Sequence, residues 1–182
     1  MDYNVSELTI RQDNINLLDI LYKFTNLTKL DCSYCELSSL PELPNTLQYL
    51  YCHCNQLLVL PALPNTLQTL RCYNNQLFVL PELPNTLLEL WCYGNQLSAL
   101  SIPKLPNTLR ELCCSCNNLS VLTELPNTLQ YLNCDNNKLS VLPTLPNTLQ
   151  YLSCLNNTLL VLPILPNTLH KLYCNNNKLS VL

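Results

Sequence analysis

The chain has 182 residues, is 48% hydrophobic and only 12% charged, and carries a formal net charge of −3. Because binding to phosphate requires an excess of lysine and arginine, this composition argues against nucleic acid as a partner. The charged N-terminal residues contain no apolar segment of the kind a signal peptide needs, and proline or asparagine interrupts every longer apolar stretch, so we expect neither an export signal nor a membrane span.

The N-terminal segment, residues 1–26, is an irregular version of a unit that recurs further along the chain. Six of its residues occupy positions 1, 4, 6, 9, 11 and 14 of that unit, namely Val5, Leu8, Ile10, Asp13, Ile15 and Leu18. We interpret the segment as an atypical first repeat whose proline-free end, residues 19–25, forms a helical turn and caps the stack. The apolar spacing also allows an alternative, a single amphipathic helix over residues 13–24.

Eight further units follow over residues 27–182, with a period of twenty residues. Their pattern is Leu-x-x-Leu-x-Cys-x-x-Asn-x-Leu-x-x-Leu-Pro-x-Leu-Pro-Asn-Thr, and their first residues are Leu27, Leu47, Leu67, Leu87, Leu109, Leu129, Leu149 and Leu169. A unit of this size cannot bury its own apolar face, so the units must stack around one elongated core. The period therefore predicts a single solenoid domain over residues 1–182 that offers a recognition surface and no catalytic pocket.

The positions within each unit predict the path of its backbone. Positions 4 and 6, such as Leu50 and Cys52, alternate inward along a short strand, while positions 3, 5 and 7 point to the opposite face. An inward asparagine at position 9, such as Asn55, bonds the backbone of neighbouring loops. Leucines at positions 11, 14 and 17 fill the core, whereas prolines at positions 15 and 18, such as Pro61 and Pro64, exclude helix. We therefore expect a β-rich horseshoe with a concave parallel β-sheet, extended or polyproline convex segments and little helix.

Two departures from the period have structural consequences. The unit that begins at Leu87 has two extra residues and loses its proline at position 15, which predicts a convex bulge at residues 101–104. The last unit is incomplete and stops at Leu182, which is position 14, so its inward residues lack a neighbour on one side. Because an open strand edge invites stacking on a second molecule, homodimerisation through residues 172–182 is a hypothesis.

Twelve cysteines invite a search for thiol or metal chemistry. Eight of them occupy the inward position 6: Cys32, Cys52, Cys72, Cys92, Cys114, Cys134, Cys154 and Cys174. Cysteine is small and often buried, so we expect a ladder of reduced cysteines in the core. Reduced thiols indicate a reducing compartment, which is the cytoplasm, including the cytoplasm of a host cell. Cβ atoms on adjacent parallel strands are slightly too far apart for good disulfides.

Zinc is the alternative interpretation of the cysteines. Three local motifs support it: Cys32-x-x-Cys35, Cys52-His53-Cys54 and Cys113-Cys114-x-Cys116. A structural zinc ion needs four converging ligands, but Cys52 points inward while His53 points outward, and Cys54 and Cys116 lie three units apart. We therefore expect no metal and no cofactor.

The sequence contains no conventional catalytic constellation. Gly94 is the only glycine, so no glycine-rich phosphate loop or nucleophile elbow can form. His53 and His170 have no obvious acid or nucleophile in reach. Glu89 and Glu111 are neighbours at position 3 of adjacent strands, but an open surface leaves them solvated and unsuited to acid–base work. We therefore expect no enzymatic activity.

The repeated motif resembles the leucine-rich repeat over residues 27–182. Its Leu-Pro-x-Leu-Pro ending and twenty-residue period are similar to the short subclass found in type III secreted effectors of bacterial pathogens, and similar units occur in predicted proteins of giant DNA viruses. Cysteine at position 6 departs from the aliphatic residue that is usual in those effectors. The ligases among them carry their nucleophile in a Cys-x-Asp motif outside the repeats. Since no such motif occurs here, the resemblance does not imply ligase activity.

The outward positions vary while the framework repeats, and many of them are aromatic. We define the central aromatic patch as Tyr49, Tyr51, His53, Arg71, Tyr73, Glu89, Trp91 and Tyr93, and the C-terminal tyrosine group as Tyr131, Tyr151 and Tyr173. Tyrosine, tryptophan and arginine are enriched at binding hot spots. The sequence therefore predicts that the concave face binds a host or cellular protein, with Tyr51, Tyr73 and Trp91 as anchors.

Three other interpretations of these residues stay open. Aromatic residues suit exposed strands and stack on one another without any partner. A structural or assembly protein would self-associate end to end through residues 172–182, and its concave face would bind no partner. A thiol or metal protein would use the cysteines, which a zinc measurement and a free-thiol count would reveal.

Overall fold

The computed structural model describes residues 3–98 and 103–180, and within these ranges nine strands of three residues form one sheet. The strands are β1 (Glu7–Thr9), β2 (Lys29–Asp31), β3 (Tyr49–Tyr51), β4 (Thr69–Arg71), β5 (Glu89–Trp91), β6 (Glu111–Cys113), β7 (Tyr131–Asn133), β8 (Tyr151–Ser153) and β9 (Lys171–Tyr173). They lie in sequence order and all pairs are parallel, which confirms the predicted solenoid. The bulge expected at residues 101–104 lies partly outside the described residues.

Strand register places the same repeat position of every unit side by side. Leu30, Leu50 and Leu70 are consecutive partners across β2, β3 and β4. Equivalent side chains therefore stack in columns, with neighbours about 4.8 Å apart in the direction of the strand hydrogen bonds. Any residue type that the motif repeats becomes a ladder along the sheet.

The core is a continuous stack of leucine and cysteine side chains. Leu50 and Cys52 are fully buried, and so are the residues at positions 4 and 6 of every unit from β2 to β8. Burying one leucine contributes about 1.5–3 kcal/mol, so these columns are a main source of stability. At β9, Leu172 and Cys174 are only partly buried, as expected for residues with a neighbour on one side. The segments that return to the next strand contain no helix or strand among the described residues after Lys29.

Asparagine at position 9 ties neighbouring loops together, as predicted. The Asn75 amide nitrogen donates to the carbonyls of Cys52 and Cys72, both at 3.0 Å. Its side-chain oxygen accepts from the Leu57 N–H, also at 3.0 Å. The left-handed residue of the loop is position 8, where Asn74 has φ 52°. Each buried amide thus satisfies backbone groups of two units at once.

Threonine at position 20 makes a second set of links between units, to which the sequence analysis assigned no role. The Thr66 hydroxyl lies 2.7 Å from the carbonyl of Leu47, the first residue of its own unit, and 2.9 Å from the carbonyl of Asn45 in the preceding unit. The following turn closes with a hydrogen bond from the Leu67 N–H to the Pro64 carbonyl at 3.0 Å. The Asn-Thr ending therefore anchors the start of each strand to the previous repeat.

The N-terminal segment adds one strand and a series of 3₁₀ turns. Strand β1 pairs in parallel with β2, with Leu8 opposite Leu30. Residues Gln12–Lys23 then form 3₁₀ turns that non-helical backbone interrupts at Asn14 and Ile20. The alternative of one amphipathic helix over residues 13–24 is wrong, because the turns are of the 3₁₀ type and the non-helical backbone at Asn14 and Ile20 divides them.

Position 9 is built differently in the first two units. Asp13 is exposed, unlike the buried asparagines further on. Cys35 is buried, and its thiol lies 3.4 Å from the Ile10 carbonyl and 3.3 Å from the Ser33 carbonyl. Gln12 donates from its side-chain amide to the Cys35 carbonyl at 3.0 Å. A weak thiol donor therefore replaces the asparagine between β1 and β2.

Candidate functional site

The central aromatic patch occupies the sheet face opposite the core, across β3, β4 and β5. Tyr51, Arg71 and Trp91 are register partners at position 5. The side chains of the patch are half-buried, because each outward residue is flanked by residues of the two adjacent strands. The structure therefore brings the residues that the sequence predicted into one surface.

Position 7 carries a stack of parallel rings. The His53 and Tyr73 ring centres are 4.2 Å apart with an interplanar angle of 16°, and those of Tyr73 and Tyr93 are 4.4 Å apart at 8°. Ring spacing follows strand spacing, since one ring comes from each strand. Burial raises the pKa of Tyr93 to about 12, so its hydroxyl remains a hydrogen-bond donor at neutral pH.

Tyr34 also belongs to this ring stack, although its repeat position did not predict this. Its ring meets His53 edge-on at 5.3 Å, and the side chain is 70% exposed. Tyr34 stands at position 8 with φ 59°, outside the columns at positions 3, 5 and 7. The sequence feature that could have indicated its role is the residue type itself, because no other described unit has an aromatic residue at position 8.

Arg71 lies at the centre of the patch between two rings. Its guanidinium is 5.2 Å from the centre of the Tyr51 ring and 4.7 Å from that of Trp91. Its Nε donates to a Glu89 carboxylate oxygen at 2.7 Å. Partial burial lowers the pKa of Arg71, but the hydrogen bond and charge of Glu89 raise it, and the net direction is upward. The cation is therefore held by two π faces and one carboxylate.

Glu89 is not the freely solvated residue that the sequence predicted. Glu89 and Glu111 are register partners across β5 and β6, as expected from their shared position. Glu111 is exposed, however, whereas Glu89 is half-buried, because its carboxylate is hydrogen-bonded to Arg71 on β4. The two carboxylates consequently have different surroundings.

His53 does have an acid and a hydroxyl in reach, contrary to the sequence expectation. Its Nδ1 lies 2.9 Å from the Ser33 hydroxyl, and that hydroxyl lies 2.7 Å from an Asp31 carboxylate oxygen. A carboxylate only accepts, so Ser33 donates to Asp31 and accepts from the His53 Nδ1–H. This network assigns the Nδ1–H tautomer to His53. Burial and the charge of Arg71 lower the pKa of His53, while Asp31 opposes them.

The Asp31, Ser33 and His53 network does not have the order of a catalytic triad. In a triad the carboxylate holds the imidazole and the serine faces the substrate. Here the carboxylate holds the serine, which is only 4% exposed. The Ser33 hydroxyl is therefore a support for the His53 ring and is not placed to attack a substrate.

The C-terminal tyrosine group forms a second, separate stack. The Tyr131 and Tyr151 rings are 4.4 Å apart at 13°, and Tyr151 and Tyr173 are 5.7 Å apart at 46°. Burial raises the pKa of Tyr131 to about 12. Strand β6 separates this group from the central aromatic patch with Glu111 and Cys113.

All twelve cysteines are free thiols, as a reduced ladder requires. Burial raises the pKa of Cys32 to about 12 and holds that of Cys52 well above its ordinary value. The thiolate is the form that binds metals and reacts, and burial disfavours it at Cys32 and Cys52. In residues 3–98 and 103–180, no three His, Cys, Asp or Glu side chains are grouped to hold a metal ion.

No helix among the described residues is long and apolar enough to cross a membrane. The helical residues lie in the 3₁₀ turns of Gln12–Lys23.

Known proteins resemble the chain in both sequence and structure. The model of the Leucine Rich Repeat family matches residues 26–45 and 128–152. YopM from Yersinia enterocolitica WA-314 is 36% identical with a TM-score of 0.85, over 97% of this chain and 36% of its own length. A Shigella effector LRR domain is 30% identical with a TM-score of 0.78, over 93% of this chain and 77% of its own length.

A third structure, YopM from Yersinia pestis, is described as a leucine-rich effector protein. It is 29% identical with a TM-score of 0.73, over 86% of this chain and 56% of its own length. The chain thus spans little more than a third of the Yersinia enterocolitica protein. No curated protein sequence is significantly similar to the chain.

Proposed function

Since the chain belongs to the leucine-rich repeat family, we propose that it is a non-enzymatic module that binds a partner protein on its concave face. Solenoids of this family use extended concave surfaces to bind proteins. The observation that carries the proposal is the array of rings that holds Arg71, with Tyr51 and Trp91 against its guanidinium. Such side chains are typical of binding hot spots.

The anchors of the proposed interface are Tyr51, Tyr73 and Trp91. Tyr73 is stacked between two neighbours, and Arg71 packs against the other two anchors. Side chains that are already held in place lose little conformational freedom on binding, which favours affinity. The remaining members of the central aromatic patch, Tyr49, His53, Glu89 and Tyr93, flank the anchors.

The C-terminal tyrosine group extends the proposed interface. Nine strands at strand spacing give a face about 40 Å long, which is enough for an interface of standard size. The parallel rings of Tyr131 and Tyr151 offer a second contact area beyond β6. A partner that covers both groups would cross most of the sheet.

We place the whole chain, residues 1–182, in one domain, in which residues 1–26 cap the N-terminal end and residues 27–182 form eight repeats, the last incomplete. The pairing of β1 with β2 and the burial of Phe24 support the cap. A cap is needed because the first full repeat otherwise exposes its core.

We place the partner in the cytoplasm of a cell, which includes the cytoplasm of a host. The twelve free thiols suit a reducing compartment. The Yersinia pestis and Shigella structures are described as effectors, which supports a cellular protein as the partner. The capture experiment described next would identify the partner.

The test is a capture experiment from cytosolic extract with identification by mass spectrometry. The native chain is compared with a Tyr51→Ala, Tyr73→Ala, Trp91→Ala variant and with Phe78→Ala, which removes an exposed aromatic ring outside the sheet. Circular dichroism and melting must match for all three proteins. A protein retained by the native chain and by Phe78→Ala, and lost by the triple variant, supports the proposal.

Equal recovery with the triple variant contradicts the aromatic patch as the binding site. Light scattering on the same samples then distinguishes the alternative of end-to-end self-association. A mass that rises with concentration and is insensitive to the triple variant would favour the assembly protein, whereas a monomer at every concentration would exclude it.

A further inference from the structure

Charge on the part of the concave face from β2 to β7 is unbalanced once the ion pairs are removed. Two ion pairs occur among the described residues: Lys29 with Glu7 at 3.0 Å, and Arg71 with Glu89 at 2.7 Å. These pairs use both cations at positions 3, 5 and 7 of the units from β2 to β7, and the other two cations of these columns, Arg11 and Lys171, lie beyond those units. The carboxylates left without an ion pair are Asp31, Glu111 and Asp135.

The surface already shows how it holds a basic side chain. Arg71 is bound by two aromatic faces and one carboxylate, all supplied by the same sheet face. Partly desolvated guanidinium groups gain from such π faces and from charge-assisted hydrogen bonds. A carboxylate beside a ring is also present on both sides of this residue, and on one side that ring is Tyr51, which Arg71 already contacts.

On one side, Asp31 is the register partner of Tyr51 across β2 and β3. On the other side, Glu111 is the register partner of Tyr131 across β6 and β7. Each carboxylate lies two strands from Arg71, which is about 10 Å at strand spacing. Asp31 is half-buried and Glu111 is exposed, so both can be reached from the open face.

No unpaired cation stands in these columns between the two carboxylates. His53 is held as the Nδ1–H tautomer by Ser33, and its burial favours the neutral ring. Arg110 is exposed but precedes β6 and lies outside positions 3, 5 and 7. The central part of the face therefore attracts positive charge and repels negative charge.

We propose that the partner presents a basic segment to the concave face, with lysine or arginine side chains placed against Asp31 and Glu111 on either side of Arg71. This inference rests on the proposed function, because it names the kind of partner for the same surface. Charge complementarity selects the partner class, and the rings supply most of the contact area.

The experiment uses the full chain and a random peptide library displayed on phage. The native chain is compared with an Asp31→Asn, Glu111→Gln variant. The control is a Glu82→Gln, Glu124→Gln variant, which removes the same charge from exposed sites on the return segments. If Asp31→Asn disturbs folding through Ser33, the exposed Glu111→Gln substitution alone serves as the test.

The native chain should enrich peptides with a net positive charge. The concave variant should lower their affinity about two- to fivefold, as for exposed ion pairs, and the control variant should leave it unchanged. Affinity should also fall as salt is added, because the charges are exposed to solvent.

Three results would overturn the basic-segment inference, and they separate it from the proposed function. Enrichment of neutral or acidic peptides that Tyr73→Ala and Trp91→Ala abolish would leave the concave site intact and contradict its charge preference. Basic peptides that bind the concave and control variants equally would also contradict it. If no peptide is enriched, the inference fails and the proposed function depends on the cytosolic capture alone.

Discussion

The side-chain oxygen of Asn74 lies against Gly94, in the space that a Cβ atom on the glycine would occupy. Both residues stand at position 8, where the backbone is left-handed: φ is 52° at Asn74 and 64° at Gly94. Gly94 is the only glycine of the chain. Glycine at this position therefore adopts the left-handed backbone without strain, and it also leaves room for the side-chain amide of Asn74.

Gly94→Ala should destabilise the fold. Left-handed backbone costs a residue with a Cβ about 1–2 kcal/mol, and displacement of the Asn74 side chain adds to this cost. Urea unfolding followed by circular dichroism measures the change. In an Asn74→Gly background the side-chain conflict is gone, so Gly94→Ala should cost less there. The same cost in both backgrounds would show that the contact with Asn74 is unimportant.

Asn75→Ala should be one of the more damaging single substitutions. It leaves the Leu57 N–H without its partner, and an unsatisfied buried group costs about 1–3 kcal/mol. It also removes one of the two amide donors from each of the Cys52 and Cys72 carbonyls, which keep only those of Asn55 and Asn95. We expect a total loss of about 2–4 kcal/mol in the free energy of unfolding. Asn65→Ala, at an exposed asparagine, should change it by less than about 0.5 kcal/mol. Similar losses in the two variants would refute the bridging role.

Stability should depend on pH through His53. The pKa of His53 is lowered from 6.5 in the folded chain, chiefly by burial, so the unfolded chain binds more protons as the pH falls through this value. The free energy of unfolding should therefore be highest above this pH and decrease below it. His53→Asn should flatten the decrease. The test is urea unfolding at a series of pH values, and a slope that His53→Asn leaves unchanged contradicts the prediction.

Thiol reactivity should divide the cysteines into two classes. Cys116 is exposed and Cys54 is half-buried, so both should react with a thiol reagent in the folded chain. Burial raises the pKa of Cys52 and that of Cys72 well above the ordinary value, and the thiolate is the reactive form. The fully buried ladder thiols should therefore react only after unfolding, whereas the half-buried Cys174 should react together with Cys54. Time courses with and without denaturant measure this, and Cys116→Ser should remove the fastest phase. Rapid reaction of the ladder in the folded chain would show that its thiols are accessible.

The repeat period was sufficient to predict the architecture. Units of twenty residues can bury leucine and cysteine only by stacking, and parallel strands then follow from the equal direction of every unit. The inward columns, such as Leu50 and Cys52, and the bridging role of Asn75 could be read from position alone. The N-terminal segment was harder to predict, because the residues of Gln12–Lys23 suit more than one kind of helical turn.

The members of the site were predictable, but their mutual contacts were only partly so. Positions 3, 5 and 7 predicted which residues share the open face. Tyr34 escaped prediction because it stands at position 8 and reaches the stack from the loop. Ser33 was in a predicted column, yet nothing in its residue type indicated a hydrogen bond to His53.

The repeat pattern alone is enough to specify the solenoid, its register and the two faces of its sheet, because these features depend on a pattern repeated eight times. The pairing of Arg71 with Glu89 and the hydrogen bond between Ser33 and His53 become visible only in the folded chain. The period specifies where each backbone position lies in the sheet, but a long side chain can contact several different neighbours on the two adjacent strands. Contacts of this kind differ by about 0.2–1 kcal/mol, which is too little for the repeat pattern to specify.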